Sequence, residues 1–497
     1  MAKQKKREWI FTHIIKQLFI YNVFGILLLI SLPGCASLSQ PSHQNSEKIK
    51  KVNKGINYLL TLSKNKADIA IMVQSMNTGT ILYQKNSDKL FIPASNQKLF
   101  TAYTALQTLG SEFKYKTQLL TDAANINDGI LNGNLYMRFE GDPELEFKEV
   151  KKMVVSLSQQ GIHTITGNFY IDSGYFDEQG IAPGTIESDI HYCYGAPVNA
   201  VIINHNCANV KILPARKIGH LAQLVSSQNV PLPIANNVIT KLSNKACKLR
   251  LTENTEGKYS LTGCVNARSK AMGVSFALQN SKEYMMALMK TLFHERKIKI
   301  MAMTERSANA LPLKVLASHE SRPMKDLVYD MMKKSDNIIA NALFKTLGAN
   351  QFHQPGSWDN SSEAMKSTLN KNRIYISPSV KIIDGSGLSR ENRISTSGIL
   401  QILKSAYVNS TIRENFISSL PVSGINGTLK HRMNDIHMAG KVRAKTGTMK
   451  GVSALSGYIE STNHEIYAFS IIINSHMGWT GNHRILEDKI CRFLSSI

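Results

Sequence analysis

The spacing of apolar residues predicts a helix and then two strands where the folded part of the chain begins. Between Ile49 and Leu60, apolar side chains recur at helical spacing, which is typical of an amphipathic helix. Two β-rich runs follow at 67–76 and 80–84, and the residues between them, Asn77-Thr78-Gly79, suit the left-handed positions of a tight hairpin. We therefore expect a helix packed on a sheet whose first two strands form a hairpin.

Helical periodicity returns in two further segments, which are separated by a long stretch of different character. A helix is predicted over 95–110, where a glycine would end it. Short apolar runs broken by Asn, Gly and Asp fill residues 113–311, so this stretch should be mostly β, with one late helix at 284–293. From Met324 the helical period resumes and is interrupted at Ser335-Asp336-Asn337, which predicts a loop between two helices.

The last part of the chain predicts three strands and a closing helix. Apolar runs at 441–446, 454–459 and 466–473 are separated by turn residues, and the final run at 484–494 has helical spacing. Together with the first hairpin, these strands would complete one five-stranded antiparallel sheet flanked by helices. The predicted fold class is therefore α+β.

This arrangement divides the chain into four parts. The predicted parts are an export signal at 1–34, a tether at 35–48, a sheet-and-helix domain formed by 49–112 with 312–497, and an inserted region at 113–311. The inserted region is mostly β and long enough for two small domains. The two pieces of the sheet-and-helix domain would meet only in the folded chain.

The first 34 residues have the layout of an export signal. A basic start, Lys3, Lys5, Lys6 and Arg7, precedes an apolar run at 23–32, which is shorter than the roughly 20 apolar residues that span a membrane. The run ends on Leu32-Pro33-Gly34-Cys35, which resembles a bacterial lipobox, although Pro33 is not the usual small residue. Cys35 would then be lipidated and hold the protein at the membrane of the periplasm or cell envelope. Ordinary signal-peptidase cleavage and a retained signal anchor are the alternatives.

The chain is strongly basic, with a formal net charge of +23. Residues 1–34 contain five Lys or Arg residues and one Glu, a net of four, so removal of the signal leaves +19. A basic surface suits anionic envelope polymers or lipid headgroups. The basic residues are scattered and no nucleic-acid-binding motif accompanies them, so we do not expect nucleic acid as a partner.

Cysteine spacing fits an oxidising compartment. Cys193 with Cys207 and Cys247 with Cys264 are near neighbours that would close short loops as disulfides, and Cys491 would stay free. Connectivity does not follow from sequence alone.

A zinc site is the alternative for the first pair of cysteines. His191-x-Cys193 and His205-x-Cys207 together offer two imidazoles and two thiolates. Their spacing matches no known structural zinc site, and export favours the disulfide. We therefore expect no metal there.

Ser95-Asn96-Gln97-Lys98 is the first candidate for chemistry. Three residues are nearly one helical turn, so the Lys98 amine would lie beside the Ser95 hydroxyl and take its proton if the pKa of the amine were lowered. The positive end of the helix would favour a serine alkoxide. On its own this tetrapeptide is weak evidence, because an ordinary exposed helix start would look the same.

Two further motifs strengthen the case. Ser335-Asp336-Asn337 lies in the predicted loop between helices, where Ser335 can relay protons and Asn337 can bond a peptide, or where the motif is simply a helix cap. Lys445-Thr446-Gly447-Thr448 lies on a predicted strand, where Gly447 lets a substrate approach the backbone and an edge strand can pair with an extended peptide. S-x-x-K, S-D-N and K-T-G in this order form the signature of class A β-lactamases and penicillin-binding proteins.

With these motifs the chain resembles the penicillin-binding DD-carboxypeptidases and DD-endopeptidases that carry a large insertion inside a transpeptidase-like domain. The distance from Ser95 to Ser335, 335 minus 95, is 240 residues, which leaves room for that insertion. The blocks Gly141-Asp142-Pro143 and Tyr194-Gly195-Ala196-Pro197 are similar to the family as well. So are Gly427-Thr428-Leu429 with Arg432, and Asp384-Gly385-Ser386-Gly387-Leu388-Ser389-Arg390, in which Asp384 is expected to bond backbone amides rather than substrate.

The resemblance implies a mechanism on D-Ala-D-Ala stem peptides of peptidoglycan. Ser95 would attack the carbonyl, Lys98 would accept its proton, and the backbone amides of Ser95 and Thr448 would hold the oxyanion. Ser335 and Lys445 would pass the proton to the leaving amine. β-Lactams would acylate the same serine, and neither a metal nor an organic cofactor would be needed.

The resemblance also implies the substrate-binding residues. Asn337 would hold the amide of the peptide, Thr446 and Thr448 would bind the terminal carboxylate, and Gly447 would make room for the peptide backbone. The alternatives are a serine β-lactamase, which the 240-residue separation disfavours, and a catalytically idle protein that binds peptidoglycan. The residues do not decide between removing a terminal D-Ala and cutting a crosslink.

Overall fold

The computed structural model describes residues 43–63, 66–226, 234–242, 248–253, 259–305, 312–476 and 480–497. Residues Lys48–Ile497 form one compact unit. None of the helices in the described ranges combines the length and the apolar character of a bilayer span. The predicted export signal at 1–34 and Cys35 lie outside the described residues.

Helices and strands alternate along these ranges. The helices α1 to α10 are His43–Leu62, Lys98–Thr108, Phe147–Gln159, Ser281–Glu295, Met324–Lys334, Asn337–Phe352, Trp358–Lys371, Thr396–Val408, Arg413–Ser419 and Gly481–Ser495. The strands β1 to β20 are Asp68–Ser75, Ile81–Lys85, Lys116–Thr121, Ile126–Asn127, Ile130–Leu131, Leu135–Phe139, Thr164–Ile165, Phe169–Asp172, Cys207–Leu213, Gln223–Ser226, Ile234–Lys241, Arg250–Glu253, Tyr259–Asn266, Met272–Ala277, Lys299–Ile300, Met303–Glu305, Lys314–Glu320, Val442–Met449, Val452–Glu460 and Ile466–Asn474.

A five-stranded antiparallel sheet joins the two ends of the folded chain, in the order β18-β19-β20-β1-β2. Successive side chains of β20 point to opposite faces of the sheet. Phe469 and Ile471 lie in the core shared with α1 and α10, whereas Ala468 and Ile472 lie in the core shared with α2 and α8. The predicted α+β fold, with a five-stranded antiparallel sheet flanked by helices, is confirmed. Strand β18, which carries the K-T-G motif, is at the edge of the sheet.

Helix α1 begins at His43, so the last six residues of the predicted tether are helical. Its apolar face buries Val52 and Ile56 against the sheet, as the periodicity predicts. On the other face of the sheet, α6 is buried continuously from Ile338 to Ala349. A helix that is buried on all sides packs inside a domain, and α6 contacts both α2 and α7.

The inserted region, called the insert below, runs from β3 to β17 and contains several small sheets. One five-stranded sheet has the order β16-β8-β6-β3-β17. Strand β17 lies beyond residue 311, the predicted end of the insert, but it pairs with β3 and belongs to that sheet. The late helix is present as α4, and a second helix, α3, buries Val150, Met153, Val154 and Leu157 at helical spacing. The sequence prediction of a single helix in the insert was therefore wrong.

Candidate active site

Ser95 and Lys98 lie on a tight turn at the start of α2. Ser95 belongs to a 3₁₀ turn, Ala94–Gln97, and the α-helix proper begins at Lys98. We predicted an α-helical first turn for Ser95, but a 3₁₀ turn has three residues per turn and stacks positions i and i+3 directly. Lys98 Nζ is therefore 3.0 Å from Ser95 Oγ, within hydrogen-bond distance.

The Lys98 amine is enclosed by oxygen acceptors. Besides Ser95, it contacts Asn337 Oδ1 at 2.6 Å and the backbone oxygen of Ser386 at 2.7 Å, and its side chain is fully buried. Burial lowers the pKa of Lys98 to about 7, against the opposing influence of the nearby carboxylates of Asp384 and Asp336. An amine with this pKa can accept a proton near neutral pH.

The S-D-N motif forms the corner between α5 and α6. Ser335 ends α5 in the left-handed region with φ 60°, and the Asp336 side chain caps α6 by accepting from the amide of Ile339 at 3.0 Å. Asn337 is the first residue of α6. The predicted inter-helix loop is confirmed, and the helix cap at Asp336 occurs next to the contact of Asn337 with Lys98.

The K-T-G motif brings a second buried lysine to the site. Lys445 Nζ is 2.9 Å from Ser335 Oγ and 2.9 Å from the backbone oxygen of Thr446. Its side chain is fully buried, and burial together with the nearby Lys98 ammonium holds the pKa of Lys445 well below its usual range. Two hydrogen-bonded pairs, Lys98 with Ser95 and Lys445 with Ser335, therefore lie close enough for the charge of one lysine to act on the other.

The remaining K-T-G residues line the open edge of the sheet. A Cβ at Gly447 would lie 2.8 Å from the backbone oxygen of Pro93, so only glycine lets β18 approach the Ser95 turn this closely. Thr446 Oγ1 lies 2.7 Å from Thr428 Oγ1, and the exposed Thr448 Oγ1 accepts from Arg484 at 3.3 Å. All eight predicted catalytic and substrate-binding residues therefore come together.

The Asp384 block packs against the turn that carries Ser95. As expected, the fully buried Asp384 carboxylate accepts from the backbone amides of Gly387, Leu388 and Ser389 at 2.8 to 3.1 Å. The block also supplies the Ser386 carbonyl that contacts Lys98. Sequence reasoning missed that contact, because a backbone carbonyl carries no side-chain signal.

The insert also reaches the site. Asn337 Nδ2 donates to the backbone oxygen of Tyr194 at 2.8 Å, and His205 Nδ1 lies 3.5 Å from Asp336 Oδ2. Both contacts come from segments joined by the Cys193–Cys207 disulfide. Neither contact was predicted from the sequence, although the block that begins at Tyr194 resembles the family.

The disulfide settles the alternative of a zinc site at these positions. Cys193 and Cys207 are bonded to each other, so their sulfurs are not thiolate ligands. Cys264 is disulfide-bonded as well, and its predicted partner Cys247 lies outside the described residues. Cys491 is free and buried, as predicted.

Comparisons with known proteins identify the family of the chain. The model of the D-Ala-D-Ala carboxypeptidase 3 (S13) family matches residues 53–494. The D-alanyl-D-alanine carboxypeptidase DacB of Haemophilus influenzae is 31% identical over 435 residues, 86% of this chain and 88% of the relative. Penicillin binding protein 4 of H. influenzae has a crystal structure with a TM-score of 0.80 at 28% identity, covering 89% of this chain and 99% of that chain. Its complex with a β-lactam has a TM-score of 0.75 at 27% identity, covering 89% and 100%. The chain belongs to the D-Ala-D-Ala carboxypeptidase 3 (S13) family.

Proposed function

We propose that Ser95 is the nucleophile with which this penicillin-binding serine DD-peptidase opens the bond between two D-alanine residues of a cell-wall peptide. The observation that carries the proposal is the buried Lys98 amine, with a pKa of about 7, at 3.0 Å from the Ser95 hydroxyl. The attack forms a bond from Ser95 Oγ to the carbonyl carbon while the hydroxyl proton moves to Lys98. The backbone amides of Ser95 and Thr448 hold the oxyanion.

Collapse of the tetrahedral intermediate breaks the peptide bond and leaves an acyl-enzyme on Ser95. The leaving D-alanine amine takes a proton from the Ser335 hydroxyl, which Lys445 contacts at 2.9 Å and resupplies. Lys98 passes the proton that it took from Ser95 to Lys445, so the Lys98 amine is neutral again. Water then attacks the acyl-enzyme and gives its proton to Lys98. Lys98 returns that proton to Ser95 Oγ as the ester bond breaks, and the peptide leaves with a new carboxylate.

Three further residues orient the peptide. The Asn337 side-chain amide has two N–H donors, of which one bonds the Tyr194 carbonyl, so the other serves the peptide. The hydroxyls of Thr446 and Thr448 at the open edge of β18 bind the terminal carboxylate. The convergence of buried Lys98 and Lys445 argues against an idle binding protein, since burying two lysines is costly without a role for them.

The test is the Ser95→Ala variant, assayed for labelling by a fluorescent penicillin and for release of D-alanine from a pentapeptide. Both signals should disappear while the thermal unfolding temperature stays within a few degrees of the parent. Ser87→Ala, at a partly exposed position outside the site, is the matched control. Retained D-alanine release by Ser95→Ala would overturn the assignment, and rapid turnover of penicillin by the parent would favour a β-lactamase.

The balance between two reactions of this site is a separate question. Removal of a terminal D-Ala and cleavage of a crosslink share the acylation step and differ in the group beyond the scissile bond. Digestion of purified sacculi and separation of the muropeptides distinguishes them, because a carboxypeptidase shortens pentapeptides and an endopeptidase lowers the amount of dimers. We propose that the chain acts on stem peptides in one or both of these ways.

We also propose that the protein is exported and held at the membrane through Cys35. The predicted signal, the basic net charge and the Cys193–Cys207 disulfide support an oxidising envelope compartment. Cells fed an alkyne fatty acid should label the parent and the Cys491→Ala control but not Cys35→Ala. Equal labelling of Cys35→Ala would contradict lipidation, and an unlabelled parent that stays in the membrane fraction would favour a retained signal anchor.

A further inference from the structure

The insert holds a cavity that the peptidase chemistry does not use. It has a volume of about 750 Å³ and lies where β12, β13 and β14 face the loop that contains Tyr192. Its lining combines the half-exposed ring of Tyr192 and an edge of the buried Tyr259 with Arg250 and the hydroxyls of Thr252 and Ser275. Aliphatic side chains complete the lining: Leu249, Leu251, Leu261 and Val274. Ligand sites of roughly 300–1,000 Å³ usually combine aromatic walls with a few polar groups in this way.

One loop connects this cavity with the active site. Tyr192 lines the cavity, and two residues further along the chain the Tyr194 carbonyl accepts from Asn337 beside Lys98. The two tyrosine rings stack with centroids 5.5 Å apart and an interplanar angle of 5°, and both rings are about half exposed. The loop is held at Cys193 by the disulfide to Cys207. An exposed aromatic surface therefore runs from the catalytic residues to the cavity.

The lining chemistry favours a sugar. The ring of Tyr192 offers a flat apolar face, while hydroxyls and a guanidinium offer directional hydrogen bonds, and none of the described residues that line the cavity is an Asp or Glu. We propose that the cavity binds the amino-sugar disaccharide of a peptidoglycan strand while the stem peptide attached to that sugar enters the Ser95 site. This proposal rests on the proposed function and adds a polymer-recognition site to it.

The dimensions of the substrate agree with this placement. Three amino acids lie between the sugar and the first D-alanine of a pentapeptide stem, and an extended chain of three residues spans roughly 10 Å. Tyr192 is two residues from Tyr194, a separation of at most about 7 Å along the chain. A stem peptide that starts at Ser95 and runs toward Tyr194 would therefore hold its sugar beside the Tyr192–Tyr194 loop that borders the cavity.

The experiment compares two soluble substrates, a free pentapeptide and the same pentapeptide carried by a GlcNAc-MurNAc disaccharide. We expect kcat/KM of the parent to be about tenfold higher for the sugar-bearing substrate, as a modest set of stacking and polar contacts provides. Tyr192→Ala and Arg250→Gln should remove this advantage while kcat/KM for the free pentapeptide stays within about twofold. Tyr375→Ala replaces another exposed tyrosine outside the cavity and should keep the advantage.

Two further measurements separate the competing occupants. Saturation-transfer NMR with the peptide-free disaccharide should detect binding to the parent and lose it in Tyr192→Ala. A crosslinked peptide dimer without sugars should be cleaved equally by the parent and both variants if the parent cleaves it. A parent with no preference for the sugar-bearing substrate, or variants impaired only on the sugar-free dimer, would overturn the proposal. A parent that cleaves no pentapeptide at all would instead overturn the function on which it rests.

Discussion

The catalytic core and the insert contribute to one site through different kinds of groups. The core, built on the central sheet, supplies reactive side chains, and its two lysines, Lys98 and Lys445, are fully buried. The insert supplies the Tyr194 carbonyl and the partly exposed His205, both near the Cys193–Cys207 disulfide. Reactivity therefore depends on burial in the core, whereas the insert acts by holding the S-D-N corner in place.

The largest effect should come from removing the general base of the core. Lys98→Ala deletes the proton acceptor at 3.0 Å from Ser95 Oγ, and general-base catalysis contributes about 10² to 10⁴-fold. We expect the second-order rate of acylation by a fluorescent penicillin to fall by that factor. Lys48→Ala, which loses only a partly exposed ion pair with Glu465, is the control and should retain the rate. An unchanged rate in Lys98→Ala would assign the base to another residue.

Replacing Gly387, which packs against the turn that carries Ser95, should have the next largest effect. Gly387 has φ 82°, and a Cβ there would lie 1.9 Å from the backbone oxygen of Ala94, next to Ser95. Gly387→Ala should displace the turn and lower the acylation rate about 100-fold, since an ångström-scale misplacement of reacting groups costs this much.

Gly110→Ala is the matched control for this substitution. Gly110 has φ 83°, but a Cβ there meets no atom within 4 Å. It should carry the same backbone penalty, about 1–2 kcal/mol of stability, without loss of acylation. Similar acylation rates in the two variants would show that the contact with Ala94 does not position Ser95.

The pH dependence of acylation should show the lowered pKa of the buried Lys98 amine. Its pKa is about 7, and only the neutral amine accepts a proton, so the rate should rise with pH, reach half its maximum near pH 7 and fall about tenfold per unit below it. Asp336→Asn keeps a residue that caps α6 but removes a carboxylate that raises the pKa of Lys98, so the midpoint should move to lower pH. A flat profile between pH 5.5 and 8.5 would contradict this role.

The elements of the catalytic core could be predicted from the sequence, because the patterns that indicate them are local. The helical spacing around Ser95 and the gap at Ser335-Asp336-Asn337 predict the elements that carry them, and apolar runs predict β18 within a few residues. The insert was harder to predict. The apolar spacing of α3 is present, but the surrounding short strands concealed it, and β17 pairs with a strand almost 200 residues earlier. The Ser386 and Tyr194 carbonyls were not predictable, because any residue type has a carbonyl.

The smallest effect should come from opening the disulfide of the insert. Cys193→Ser with Cys207→Ser frees both segments that contact the S-D-N corner, and the loss of a crosslink between residues 14 apart should lower the free energy of unfolding by about 3 kcal/mol. Acylation should slow by only a few fold, because every core residue remains in place and the Asn337 amide loses just one of its partners. Dithiothreitol should slow acylation by the parent to the same extent and leave the acylation rate of the double variant unchanged, because that variant keeps only the disulfide of Cys264. A loss as large as that of Lys98→Ala, in a variant that still shows the cooperative unfolding of the parent, would mean that the insert is part of the catalytic machinery and does more than position it.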